Sequence, residues 1–273
     1  LGWIAALHAP DRRWLTAIKY ALAALLGGFA AIAAFTAALD TQLYDSTGPA
    51  TQIERLEAYD IIGALKLKPN LSLPDIARDD PLLDDRMRSE GVRDYNPERS
   101  DTLRISPALQ SAILNAKHGV VARGWRDLVL HHPWAYLRVR ADVFRWVFLT
   151  PDLSLCVPYY TGVDGPPDEM NHLGLVRRSD ARDEALEQYV GAFVGTPVFS
   201  HAFYAALALA ELVLLLRRRR PADIAMAGML GGALACTASF FVISIACDYR
   251  YLYGLDLSAL LAGFYLSVDW PGL

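Results

Sequence analysis

TPVFSHAFYAALALAELVLLLRRRR, residues 196–220, decides the fold. Thr196–Leu216 is an apolar run of the length that crosses a bilayer core as a helix, about 20 residues. It stops at Arg217-Arg218-Arg219-Arg220, and Pro221 opens a short turn. A second apolar run, Ile224–Ala246, follows at once. Two spans joined by a tight basic turn predict a helical hairpin with its turn in the cytoplasm, because cytoplasmic loops collect Lys and Arg. A run of four arginines also suits nucleic acid, but a position between two apolar spans favours the membrane reading.

Working outward, Tyr20–Leu39 is uncharged and follows Arg12, Arg13 and Lys19. It reads as a further span, with a secretory signal peptide as the alternative. Leu255–Val268 is a shorter apolar segment that reaches only about 21 Å as a helix unless residues 252–254 extend it. The expected architecture is therefore mainly α, with about four membrane segments: one in residues 1–39, then 196–216, 224–246 and 252–268. The opening LGWIAALHA is apolar and starts at Leu1, which suggests the C-terminal part of a longer protein.

Composition agrees with a mixed chain. The 273 residues are 53% hydrophobic yet 21% charged, with a mean hydropathy of +0.21. Residues 40–198 hold 24 acidic and 18 basic residues and contain no long uncharged run. They should form a water-exposed domain large enough to bury its own core. Both basic clusters, 12–19 and 217–220, then fall in the cytoplasm, and residues 40–198 and 247–256 face outward. A net charge of −4 argues against a nucleic-acid partner. Lysine occurs only at 19, 66, 68 and 117, in a chain rich in Ala and Arg, a usage found in GC-rich bacterial genomes.

Within the outer domain, residues 50–67 show helical spacing at Ile53, Leu56, Ile61, Ile62 and Leu65. Residues 69–101 are rich in Pro and Asp and read as loop. Ser106–Leu114 opens another helix, with Pro107 in its first turn. Residues 133–149 predict a helix with a wide aromatic face (Trp134, Leu137, Ala141, Phe144, Phe148) and a narrow polar stripe (Arg138, Asp142, Arg145). Such a helix suits the membrane–water boundary; a core helix of the outer domain fits the same pattern. Arg140 points away from the polar stripe, so it either snorkels or meets an anion such as a lipid phosphate.

Of the three cysteines, Cys236 reads as a small core residue, and only Cys156 and Cys247 could share a compartment. His131-His132 and the Asp168/His172 pair form no recognised metal set, so no metal site or cofactor is assigned. Asn70-Leu71-Ser72 matches a glycosylation sequon and is given no role. The turn CDYRYLYGLD, residues 247–256, lies at the outer surface, where tyrosines are enriched. Its Asp248, Arg250 and Asp256 need partners or a ligand, because charge at the edge of hydrocarbon is costly.

Three short elements, Ala58-Tyr59-Asp60, His132-Pro133-Trp134-Ala135-Tyr136-Leu137-Arg138-Val139-Arg140 and the Asp248–Tyr253 turn, together with the spans, resemble bacterial polytopic inner-membrane glycosyltransferases of the GT-C, family-39-like kind. The resemblance implies sugar transfer from a polyprenyl-phosphate donor at the outer face of the inner membrane, with the usual catalytic carboxylate upstream of this sequence. It implies phosphate contacts at Arg138, Arg140 and Arg250, and stacking of sugar or isoprenoid on Tyr251 and Tyr253. Asp60, Asp248 and Asp256 become the carboxylates to test as general base or divalent-metal contact. The alternative is a non-catalytic, membrane-anchored module for assembling or exporting an envelope polymer. The two readings differ in one structural expectation. A transferase gathers Arg140, Arg250 and Asp256 at one cavity, whereas a module lets them scatter into separate ion pairs.

Overall fold

The computed structural model describes residues 49–268 apart from 118, 166 and 219, together with isolated helical positions between 19 and 35. The expected span at 20–39 and the opening apolar run lie outside the described stretch. The described residues are mainly helical, and their only extended pairings are two isolated antiparallel bridges, Arg99 with Ala246 and Val163 with Arg178.

Helix α1, Pro49–Leu67, is the axis of the N-terminal helical domain, the part expected to face outward. Of the stripe read from the sequence it buries Ile61, Ile62 and Leu65 and half-buries Leu56, while Ile53 is exposed and Tyr59 joins the buried face. Residues 69–101 are not the expected loop. They fold into α2 (Pro74–Asp79), α3 (Pro81–Arg86), a π-helical turn (Met87–Gly91) and α4 (Val92–Asp94). The Pro and Asp residues that signalled irregular structure are helix starts: Pro74 and Pro81 occupy first-turn positions, and Asp80 caps α3 by accepting from the Leu83 amide at 3.2 Å. α5 (Pro107–Leu114) and α6 (Val120–His131) complete the wall, with Leu109, Val120 and Leu128 in the same core.

α7, Pro133–Leu149, has the expected bounds but sits differently from its aromatic face. Its buried stripe is Val139, Arg140, Val143 and Val147, while Trp134 is 83% exposed. Its middle packs on α1, as the core-helix alternative expects, and Phe144 meets Phe241 of the C-terminal part edge-on at 5.8 Å. Gly63 makes the first contact close, because a Cβ there would lie 2.9 Å from Val139 and 2.7 Å from the Tyr95 hydroxyl. Two short helices, α8 (Pro167–His172) and α9 (Ala181–Gly191), lead to the C-terminal bundle.

The bundle comprises α10 (His201–Arg218), α11 (Pro221–Ile243) and α12 (Tyr253–Val268), with a 3₁₀ turn at Tyr249–Leu252 ahead of α12. Its own core contains Ala208, Leu215, Leu230, Ala259 and Ala262. Two segments among the described residues are long and apolar enough to cross a membrane, Ala222–Ile243 and Tyr249–Val268. The second includes the 3₁₀ turn, so the last segment is longer than its apolar run alone. The expected span at 196–216 falls on α10, an eighteen-residue helix that carries Glu211, Arg217 and Arg218. Cys236 is exposed on α11 and not in the core.

The two parts are stitched together at residues 242–247. The Ser100 amide donates to Ile245 O, and the Cys247 amide to Glu98 O, both at 2.7 Å. Cys156 and Cys247 form a disulfide across 91 residues, with a Cα–Cα distance of 5.1 Å. Their spacing held no sign of this, because residues far apart in sequence are brought together only by the tertiary fold.

Candidate functional site

The polar residues singled out from the sequence occupy three separate places. The first is inside the N-terminal domain. Asp60 on α1 and Arg140 on α7 are both fully buried and form an ion pair. The Trp125 indole donates to the other Asp60 oxygen at 2.9 Å. One Arg140 amino group also donates to Val242 O at 2.8 Å and Ser244 O at 2.9 Å. These carbonyls lie at the C-terminal end of α11, where acceptors lack partners within the helix and the dipole favours a cation. Arg140 is therefore the bolt between the N-terminal domain and the bundle, and no part of it is open to a lipid headgroup. Burial pushes the Asp60 carboxyl up to about 6, against the pull of Arg140 and Trp125. The Tyr59 hydroxyl, beside it, is also raised by burial and donates to Asn96 O at 2.7 Å.

The second place is the outer turn. Asp248 caps the 3₁₀ turn by accepting from the Arg250 amide at 3.0 Å. The Arg250 guanidinium folds back onto the same carboxylate, with Nε 2.9 Å from Oδ1, and lies 5.9 Å from the Tyr160 ring centroid. The hydrogen bonds from Arg250 hold the Asp248 carboxyl below the usual range. Arg250 is 61% exposed at its side chain, so it keeps a free face. Tyr251 stacks on Phe240 at 5.4 Å.

The third place is the top of the bundle. Asp256, in the first turn of α12, lies 2.9 Å from His201 Nδ1 and accepts from the Tyr249 hydroxyl at 3.2 Å. Of this pair only the imidazole carries an N–H, and a hydrogen bond to a carboxylate oxygen runs from that N–H when it sits on Nδ1. His201 is fully buried, and its Nε2 has no hydrogen-bond partner. Its ring packs 4.0 Å from that of Tyr249. Above the pair is an open cavity of about 310 Å³ lined by Phe199, Tyr204, Tyr249, Tyr253 and Asp256. The Tyr253 hydroxyl donates to Pro158 O, which ties the cavity rim to the 150–160 loop.

Arg138 joins none of these. It faces Asp142 at 3.4 Å on the outside of α7 and borders a separate hollow of about 540 Å³ with Lys68, His132 and Trp134. Among the described residues no group of three His, Cys, Asp or Glu side chains is placed to hold a metal ion. The structure thus unites Asp256 and Tyr253, and leaves Asp60, Arg140, Asp248 and Arg250 in two other pairs. His201 escaped the sequence reading. The available signal was an ionisable residue inside an apolar run, which by default marks function.

Comparison with known protein families, curated proteins and solved structures finds no match to this chain.

Proposed function

We propose that this chain is a membrane-anchored module whose helical outer domain is held rigidly above a helical bundle, and that it works by binding in the assembly or export of an envelope polymer. The observation that carries this reading is the scatter of Arg140, Arg250 and Asp256 into three ion pairs with Asp60, Asp248 and His201. A transferase site would bring such groups to one substrate.

The orientation rests on two features at opposite ends of α11. The Cys156–Cys247 disulfide belongs in an oxidising compartment. The arginine run sits at the other end, 23 helical residues away, or about 34 Å. Outward exposure of residues 49–198 and a cytoplasmic Arg217–Arg220 satisfy both features. The outer faces of the bundle, with Leu209, Val213, Leu257, Leu260 and Phe264 exposed, suit lipid contact.

A glycosyltransferase-like role is the second reading, favoured by the cavity that Asp256 shares with Tyr249 and Tyr253. Binding of a polyprenyl phosphate to the full-length protein in detergent separates the two. The module reading expects wild type and Arg250→Ala to bind it equally weakly or not at all. Tight binding that falls more than tenfold in Arg250→Ala would favour the transferase.

A further inference from the structure

The seam between α10 and α12 carries a row of ionisable side chains that the binding role leaves unused. At its outer end are His201 and Asp256, with the orphaned His201 Nε2. Ten residues further along α10 comes Glu211, 5% exposed, whose Oε2 has no hydrogen-bond partner. Its Oε1 rests against Gly263 of α12, where a Cβ would lie only 2.8 Å away. At the inner end the Tyr265 hydroxyl donates to Asp223 at 2.8 Å, and Asp223, fully buried, pairs with Arg218 at 3.2 Å. His201 to Glu211 is about 15 Å along the helix and Glu211 to Arg218 about 10 Å, so the row runs the length of the bundle.

The bundle core around this row is otherwise apolar. Besides Glu211, the titratable or charged groups on its elements are His201, Tyr204, Arg217 and Arg218 on α10, Asp223 and Cys236 on α11, and Tyr253, Asp256 and Tyr265 on α12. Asp142 and Arg145 are on the adjoining α7. No ion pair to Glu211 occurs among the described residues. A carboxylate buried without a partner is costly, and the neutral acid escapes most of that cost. The deletion of a side chain at Gly263 keeps room beside the carboxyl.

We infer that this seam binds and passes protons across the bundle, an inference that rests on the membrane-anchored reading. A proton arrives on His201 Nε2, and the imidazolium is stabilised by Asp256 at Nδ1. The neutral Glu211 acid gives up its own proton towards Asp223, and the carboxylate so formed is reprotonated from His201 through transient water. One proton is taken up for each one released, and no redox partner is needed. The role suits an exporter component that draws on a proton gradient.

The test uses the full-length protein in lipid vesicles with an imposed pH gradient and valinomycin with potassium to balance charge. Wild type should dissipate the gradient at least tenfold faster than empty vesicles, and Glu211→Gln should return it to the empty-vesicle rate. A wild type no faster than empty vesicles, or a Glu211→Gln variant that conducts like wild type, overturns the inference. Infrared spectroscopy of wild type at pH 7, above the Asp60 transition, needs no variant to fold: a protonated carboxylic-acid C=O band that shifts in D₂O is expected, and its absence overturns the inference. Release of the protein from membranes by alkaline carbonate would instead sink the membrane reading itself.

Discussion

Asp60 and Arg140 are 80 residues apart in sequence and fully buried together, and their pair joins α1 and α7 to the end of α11. A buried ion pair contributes little net stability, because desolvation offsets the attraction, but breaking it strands a charge. Asp60→Ala is expected to destabilise the protein by about 3–5 kcal/mol. Arg140→Ala should cost at least as much, since it also leaves the Val242 and Ser244 carbonyls without their donor. Asp60→Ala combined with Arg140→Met should cost much less than the two single changes together. Urea unfolding in detergent, run as a double-mutant cycle, measures this coupling; additive losses would show that the two side chains do not act as a unit.

The same pair sets a pH dependence. Asp60 moves from its ordinary 3.8 up to about 6 in the folded protein. Between those values the folded state holds a proton that the unfolded state has lost. The Asp60 contribution is therefore fully present below about 4 and is lost as pH rises through about 6. Stability measured across pH 4–7 should fall with rising pH through this group, and Asp60→Asn, which cannot titrate, should remove that slope. An unchanged slope in Asp60→Asn would assign it elsewhere.

Much of the architecture was legible because it follows from periodicity and hydropathy. The α1 stripe, the bounds of α7 and the apolar character of α11 and α12 all come from local pattern. Residues 69–101 misled because Pro and Asp serve both loops and helix starts, and only the capping geometry at Asp80 separates the two uses. The functional groups were less legible. Arg140 and Asp256 stood out as charges in apolar surroundings and Asp60 through the resemblance, but apart from Tyr249, seven residues from Asp256, their partners lie 55–104 residues away. Sequence pattern carries no distance of that kind. His201 and Glu211 were hidden by the apolar run that contains them.

The disulfide offers a stability test independent of the ion pair. Closing a loop of 91 residues restricts the unfolded chain by about 4–5 kcal/mol on the chain-entropy account. Cys247→Ser should therefore lower stability by a comparable amount, and reduction of wild type should match it. Cys156→Ser should add nothing further once Cys247 is replaced. A wild type indifferent to reductant under conditions that expose both thiols to alkylation would show that the crosslink contributes nothing to stability.

Glu211 and Gly263 make the most specific packing prediction. A methyl group at 263 would lie 2.8 Å from Glu211 Oε1, closer than a carbon and an oxygen tolerate. The carboxyl ends a flexible side chain, but Glu211 is only 5% exposed, so it has to find new room inside the bundle. Gly263→Ala should cost about 1–3 kcal/mol, the usual range for overpacking. Truncation of the opposing side chain makes room, so Glu211→Ala should relieve most of that cost, whereas Glu211→Gln, nearly the same size, should not. Thermal unfolding of the four proteins distinguishes a steric contact, which Ala relieves and Gln does not, from a charge effect, which both would relieve.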